Sequence, residues 1–296
     1  MTTTDADASR SIRELDETPN LLRLYGKAAV GMALPGRGGG DELPELELVL
    51  GDVTTDTEEL ADYDRVCGYR YSDRLPPTFP HILGFPLQMK LMTDERFPFA
   101  PTGLVHVANT ITQHRAIDVS EHFLLRAHAQ DLRPHPKGRQ FDMVVTAEIG
   151  DEMVWEGVST YLERGRGDDD ADTEADDLTA PPESAFTATW KLDGDVGRRY
   201  ASVSGDPNPI HLHPLTARLF GYPRPIAHGM WTKARALAAL EGRLPEAFTV
   251  EAAFQKPLLL PADVHFRSEQ QDGGWRFAVT PRDGGTPHLK GELTPR

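Results

Sequence analysis

Asp206 and His211 stand five residues apart in the run Y-A-S-V-S-G-D-P-N-P-I-H, Tyr200 to His211, and P-I-A-H-G-M follows from Pro225. A carboxylate and an imidazole converging on one water can take a proton from it and hand that proton on, which is general acid–base work. The segment between them is stiff: Pro207 and Pro209 fix two φ angles and Gly205 relaxes the backbone before them. Asp206 and Asn208 each precede a proline and are held out of helix, so Asn208 is expected to brace the loop. Ile210 is expected to be buried, with His211 pointing the other way.

Gly229 supplies the third element of such chemistry. The stretch Ala227 to Glu241 reads as a helix with Met230, Ala234, Leu237, Ala238 and Leu240 for packing, and Gly229 falls in its first turn. The first N–H groups of a helix have no intrahelical partner and sit at its positive end, so Gly229 can donate to a carbonyl that gains negative charge. His228 beside it is expected to pack or cap. His213 with His211 and Asp206 does not make a metal set, because the neighbouring Ile210 and Leu212 add no ligand. His81, His106, His114, His122 and His128 read as surface or strand-face residues.

These groups need a scaffold, and the chain offers it twice. The helix at Ala227 to Glu241 precedes strand-like runs near Phe248 to Gln255, Ala262 to Ser268, Trp275 to Thr280 and Pro287 to Leu293. An apolar stretch from Pro80 to Thr93 likewise precedes runs near Leu104 to Gln113, Glu121 to Gln130, Gln140 to Ile149 and Glu152 to Leu162. I-T-Q-H-R at Ile111 and A-F-Q-K-P at Ala253 occupy corresponding strand ends, which points to an internal duplication. The expected division is an N-terminal extension with the start of the first repeat (1–55), a first repeat lacking the acid–histidine segment (56–165), an acidic linker (166–182) and a catalytic repeat (183–296).

The string from Tyr200 through Ala217, together with A-H-G-M at Ala227 to Met230, resembles the hydratase-2 signature of MaoC-like (R)-specific enoyl-thioester hydratases. L-P-P-T-F-P-H at Leu75 and F-P-F at Phe97 are similar to the two-repeat actinobacterial (3R)-hydroxyacyl-thioester dehydratases. The resemblance implies an α+β double hot-dog fold, two long helices each wrapped by an antiparallel sheet, and reversible syn addition of water to a trans-2-enoyl thioester. It assigns Asp206 and His211 as the catalytic pair and the Gly229 N–H as the oxyanion donor. The supporting hydroxyl that some members carry further along the helix has no serine here after Thr232. Loss of the segment in the first repeat implies one active site and space for a medium to long acyl chain.

The implied substrate is a coenzyme A or acyl carrier protein thioester, with no cofactor and no metal. Asn208, His228, Lys256 and Arg267 are candidate substrate contacts, Lys256 and Arg267 with Arg224 and Arg235 as partners for the carrier's phosphates. The alternative is a non-catalytic acyl-thioester binding or partner subunit.

Composition sets the outer bounds. Of 296 residues, 46 are acidic and 31 basic, and the net charge of -15 argues against a nucleic-acid partner, which requires basic patches. Much of the excess lies in Gly167 to Asp177, G-D-D-D-A-D-T-E-A-D-D, which cannot bury apolar area and reads as a solvated linker. No window approaches the ~20 apolar residues of a membrane span, and no basic region followed by an apolar run opens the chain. One cysteine, Cys67, permits no intrachain disulfide and fits a reducing compartment. These features fit a cytoplasmic protein, and the hot-dog resemblance implies a monomer or homodimer, since such proteins pair and a double repeat can satisfy that pairing within one chain.

Overall fold

The computed structural model describes residues 10–32, 40–168, 171 and 177–296. Most of the acidic run therefore lies outside the described residues. Among the described residues, eleven strands form one continuous sheet: β1 Ser11–Leu15, β2 Leu46–Val53, β3 Leu104–Gln113, β4 Phe123–His135, β5 Gly138–Ile149, β6 Glu152–Arg164, β7 Phe186–Leu192, β8 Phe248–Phe254, β9 Ala262–Gln271, β10 Gly274–Pro281 and β11 Leu289–Pro295. Their spatial order is β1-β2-β4-β5-β6-β3-β8-β11-β10-β9-β7. Setting β1 aside, each half follows one topology: its first strand lies at the outer edge, its third to fifth strands come next, and its second strand meets the other half.

The meeting place is the β3–β8 ladder, where Ala108 pairs with Ala253 and Ile111 with Val250. Placing Ile111 on Ala253, as the similar strand ends suggest, places Ala108 on Val250 and turns one of these pairs into the other. The strand ends that resemble each other in sequence thus lie side by side in this ladder.

Each half wraps one buried helix. α3, Phe79–Met92, is apolar around its circumference and buried on nearly every side, as expected of a helix enclosed by sheet. α6, Gly229–Ala239, is its counterpart. A shorter helix precedes each: α2, Thr57–Cys67, and α4, Val196–Ser204, which pack against each other. The strand limits expected from alternation hold to within a few residues; β4 and β9 run on further, because polar side chains continue the ladder past the last apolar pair. The halves are also stitched through side chains. Lys233 of α6 is fully buried and donates to the carbonyl and side-chain oxygens of Asn109 on β3 at 2.8 and 2.6 Å, and to the Val250 carbonyl on β8 at 3.1 Å. Three N–H donors meet three oxygens across the junction, which is what makes a buried amine tolerable.

Ahead of β2 lies α1, Leu21–Met32, capped by Asn20, whose side chain accepts from the Arg23 N–H at 3.0 Å. It packs where the second half carries its acid–histidine loop, with Leu21 so close to Gly205 that a Cβ there would collide with it. α5, Pro214–Leu219, follows that loop and is capped by the His213 side chain, which accepts from the Leu215 N–H.

Candidate active site

α4 ends at Gly205, which takes the left-handed conformation at φ 66° and releases the chain into the Asp206 loop. The Asn208 side chain caps the short 3-10 turn Pro209–His211 by accepting from the Ile210 N–H, so it braces the loop as expected. The orientation of the next two residues is the reverse of the expectation. His211 is buried at 8% exposure, while Ile210 is half-buried along the cavity wall. The cause is a hydrogen bond of 2.8 Å from the imidazole to the Ile226 carbonyl, reinforced by backbone pairing of Ile226 with Ile210.

That bond fixes the chemistry of His211. Nδ1 must donate to Ile226, which leaves the Nε2 lone pair free to accept a proton. Burial lowers the His211 pKa, partly opposed by Asp206 and the Ile226 contact, and the ring is therefore neutral at neutral pH. Burial pushes Asp206 the other way, yet its pKa is lowered overall, because His228, His211, a hydroxyl and the Asn208 N–H all favour the carboxylate. The hydroxyl comes from Tyr25 of α1, which donates to Asp206 Oδ1 at 2.5 Å across 181 residues of sequence. Tyr25 was not among the expected site residues. Leu21, Leu24, Tyr25 and Ala28 have the spacing of a packed helix face, but nothing in their order names the residue on which that face lands.

His228 precedes α6 and stacks on His211 with ring centroids 3.6 Å apart. Its Nε2 lies 3.1 Å from the Asp206 carbonyl and 3.7 Å from Oδ2. Burial, then the neighbouring His211, lowers its pKa to about 3, so the stack carries no like-charge repulsion at neutral pH. Gly229 opens α6, and among the described residues no acceptor takes its N–H. A Cβ at this position would stand 2.9 Å from the Phe254 ring, so glycine lets both the ring and a substrate carbonyl approach the helix end. Thr232 bonds back to the His228 carbonyl, a use for the only hydroxyl in this turn. Asp206, His211 and His228 have potential ligand atoms within 4.8 Å of one another, so a cation would find three donors here. His213 is remote from them in its capping role.

These groups line a cavity of about 300 Å³ that runs from Lys256 and His288, past Gly229, to an apolar wall made by Ile82, Phe85, Met89 and Met92 of α3. Asp206, His211, Asn208, His228, Gly229 and Lys256 are all brought to it. Arg267 is not: it lies on β9 and pairs with Glu183 at 3.4 Å. Arg224 reaches the Pro261 carbonyl and Arg235 lies over Trp190, both away from the cavity lining. The expectation for His81 and His106 also needs correction, since both line the cavity and His81 is only 5% exposed.

The first half carries different groups at the corresponding places. Gly68 ends α2 in the left-handed conformation as Gly205 ends α4, and Tyr63 and Tyr200 each stand five residues before that glycine. Tyr69 then occupies the place of Asp206. Thr78, which caps α3, occupies the place of His228, and accepts a bond of 2.8 Å from Tyr63 with Tyr69 at 3.2 Å. Where the second half has a carboxylate and an imidazole, the first half has a packed, hydrogen-bonded aromatic cluster.

Comparison with known proteins agrees with this geometry. Residues 179–283 match the MaoC like domain. The 3-hydroxyacyl-thioester dehydratase X of Mycobacterium tuberculosis is 38% identical over 270 residues, covering 91% of this chain and 95% of that protein. The chain belongs to the MaoC-like 3-hydroxyacyl-thioester dehydratase family. A crystal structure of that dehydratase, HtdX, superposes with a TM-score of 0.75 at 35% identity, over 84% of this chain and all of the other. The dehydratase fold of this family is shared more distantly by a conserved hypothetical M. tuberculosis protein described as a double hotdog, with a TM-score of 0.53 at 13% identity over 83% of this chain and 94% of that one. As a MaoC-like dehydratase the chain has the α+β double hot-dog architecture expected of it.

Proposed function

We propose that this protein catalyses reversible syn hydration of trans-2-enoyl thioesters to (3R)-hydroxyacyl thioesters in fatty acyl metabolism, on medium to long chains. The observation that carries this reading is the convergence of an ionised Asp206, a neutral His211 with Nε2 free, and the unpartnered Gly229 N–H on one cavity with an apolar wall.

The thioester oxygen docks on the Gly229 N–H at the positive end of α6, which stabilises the charge that builds there as an enolate forms. A water held between Asp206 and His211 attacks the β-carbon. Its O–H bond breaks as the C–O bond forms, the proton passes to the Asp206–His211 pair, and the α-carbon takes a proton back from the same face. Dehydration runs the same steps in reverse. The reaction is addition of water with proton transfer and charge stabilisation and no change of oxidation state overall, so no cofactor or metal is invoked. Lys256 at the opening of the cavity is the group that meets the carrier's phosphates. Because β3 and β8 join the halves within one chain, we assign a monomer, and we place it in the cytoplasm; among the described residues no helix is long and apolar enough to cross a membrane.

The test is loss of enoyl absorbance when the protein is added to crotonyl-CoA or trans-2-dodecenoyl-CoA, with chiral analysis of the product. The (R)-alcohol should form, faster from the longer substrate. Asp206→Asn and His211→Ala should each lower kcat by about 10²-fold or more with unchanged circular dichroism. Near-normal turnover in either variant removes that residue from the mechanism.

A further inference from the structure

The chain carries 46 acidic residues, yet none falls between Pro207 and Leu240, a stretch whose basic residues are Arg218, Arg224, Lys233 and Arg235. Lys233 is engaged at the strand junction and Arg235 lies over Trp190. The other two are on the surface around α5. Arg218 donates to the Pro223 carbonyl at 3.4 Å and Arg224 to the Pro261 carbonyl at 3.3 Å; Arg198 of α4 joins them by donating to the Leu212 carbonyl at 3.2 Å. All three are exposed, and among the described residues none has a carboxylate partner. The acids on either side are already paired, Asp195 with Arg199 at 3.2 Å and Asp263 with Arg282 at 3.3 Å. Beside these guanidinium groups α5 leaves Leu215 and Leu219 65% and 83% exposed. Four residues apart, they share one helix face. The same segment reaches the cavity: Phe220 and Tyr222, directly after α5, line it, as does Lys256 at its opening.

We infer that this face docks an acidic acyl carrier protein, which presents its thioester to the cavity on a phosphopantetheine arm. This rests on the reading of the cavity as an enoyl-thioester site and decides between the two carriers that reading leaves open. Charge complementarity carries the choice. A molecule of net charge -15 repels an acidic partner over most of its surface, so the encounter is steered to the place where acids are missing and guanidinium groups have no ionic partner. The leucines decide against free coenzyme A. Its anionic nucleotide would occupy the arginines but leave Leu215 and Leu219 in water, whereas a protein partner covers exposed apolar side chains within a charged rim. A second copy of this chain is a poor occupant, because a symmetric contact would bring the same arginines of both copies together.

Steady-state hydration by the full chain of a trans-2-dodecenoyl group on purified acyl carrier protein, compared with the same group on coenzyme A, tests this. Arg218→Glu should raise KM for the carrier-protein substrate about tenfold and Leu219→Ser about threefold, with kcat unchanged. Neither residue lines the cavity, so both constants for the coenzyme A substrate should stay at the wild-type values, which also shows that the variants are folded. In the wild type, KM for the carrier-protein substrate should rise with salt more steeply than KM for the coenzyme A substrate, and Arg218→Glu should remove that difference. Equal rises in KM for both substrates overturn the docking face alone, as do unchanged constants in both variants, hydration of the coenzyme A substrate only, or a wild-type dimer in gel filtration that Leu219→Ser takes apart. No hydration of either substrate overturns the thioester reading and the docking face with it.

Discussion

At the residue scale the site is a balance between burial, which opposes the charge on Asp206, and four neighbours that favour it. Tyr25 is the neighbour that can be removed most cleanly, since its ring lies on a helix outside both repeats and only its hydroxyl reaches the carboxylate. Tyr25→Phe should raise the Asp206 pKa. Hydration requires the carboxylate, so the acid limb of the kcat/KM profile moves to higher pH in this variant, with activity lost earlier as pH falls. Turnover at neutral pH should drop about fivefold to tenfold, because a charge-assisted hydrogen bond is worth roughly 1.5–3 kcal/mol, part of which water replaces. A pH–rate profile that superposes on the wild type would remove Tyr25 from the positioning of Asp206. Asp206 and His211 were singled out by the signature around them, since an acid and a histidine in a loop taken alone read more readily as capping or turn residues. Tyr25, His81 and His106 were not, because what gives them meaning is contact across long stretches of chain, and an isolated tyrosine or histidine carries no such information.

At the element scale the two halves use the same helix endings for different ends. α2 and α4 both stop at a left-handed glycine, and only the residues after it decide between a water site and a packed cluster. The sequence has no acid–histidine segment at this place in the first half, and the structure has Tyr69 and Thr78 there. The tyrosine–threonine cluster that fills the place was hidden, because Tyr69 and Thr78 come together only when α2 and α3 pack. α2 retains one oddity, Asp64, which is 3% exposed with Oδ1 unpartnered. Burial, aided by Glu241, pushes its pKa up to about 7. The sign follows from linkage: the unfolded chain releases this proton near pH ~4, whereas the native state keeps it until about 7, so stability falls as pH rises through that window. Asp64→Asn should therefore stabilise the protein by about 1–3 kcal/mol at pH 8 and change little at pH 4. Urea unfolding at the two pH values measures both; equal effects at both would show that Asp64 is not protonated in the native state.

At the scale of the whole molecule, the halves are two copies of one topology but not two units. The acidic run falls between β6 and β7, and the strands before it lie on one side of the β3–β8 seam and those after it on the other, yet the seam is a hydrogen-bonded ladder that makes them one sheet. The Asp206 loop belongs to the second half, yet Tyr25 comes from the N-terminal extension, and the apolar wall with His81 and His106 comes from the first half. Lys233 adds a further tie: without Asn109 it keeps one of three acceptors, the Val250 carbonyl, and a buried amine so deprived is costly. A fragment of residues 183–296 should consequently lack hydratase activity and self-associate through the bare β8 edge, which would present unpaired backbone donors and acceptors. Co-expression with residues 1–182 should restore a one-to-one complex and a measurable fraction of the intact turnover, because the β3–β8 ladder and the Lys233 bonds need no covalent link. Gel filtration and the enoyl-absorbance assay read both outcomes. Full activity from the C-terminal fragment alone would show that the first repeat contributes neither the substrate wall nor the support of α6.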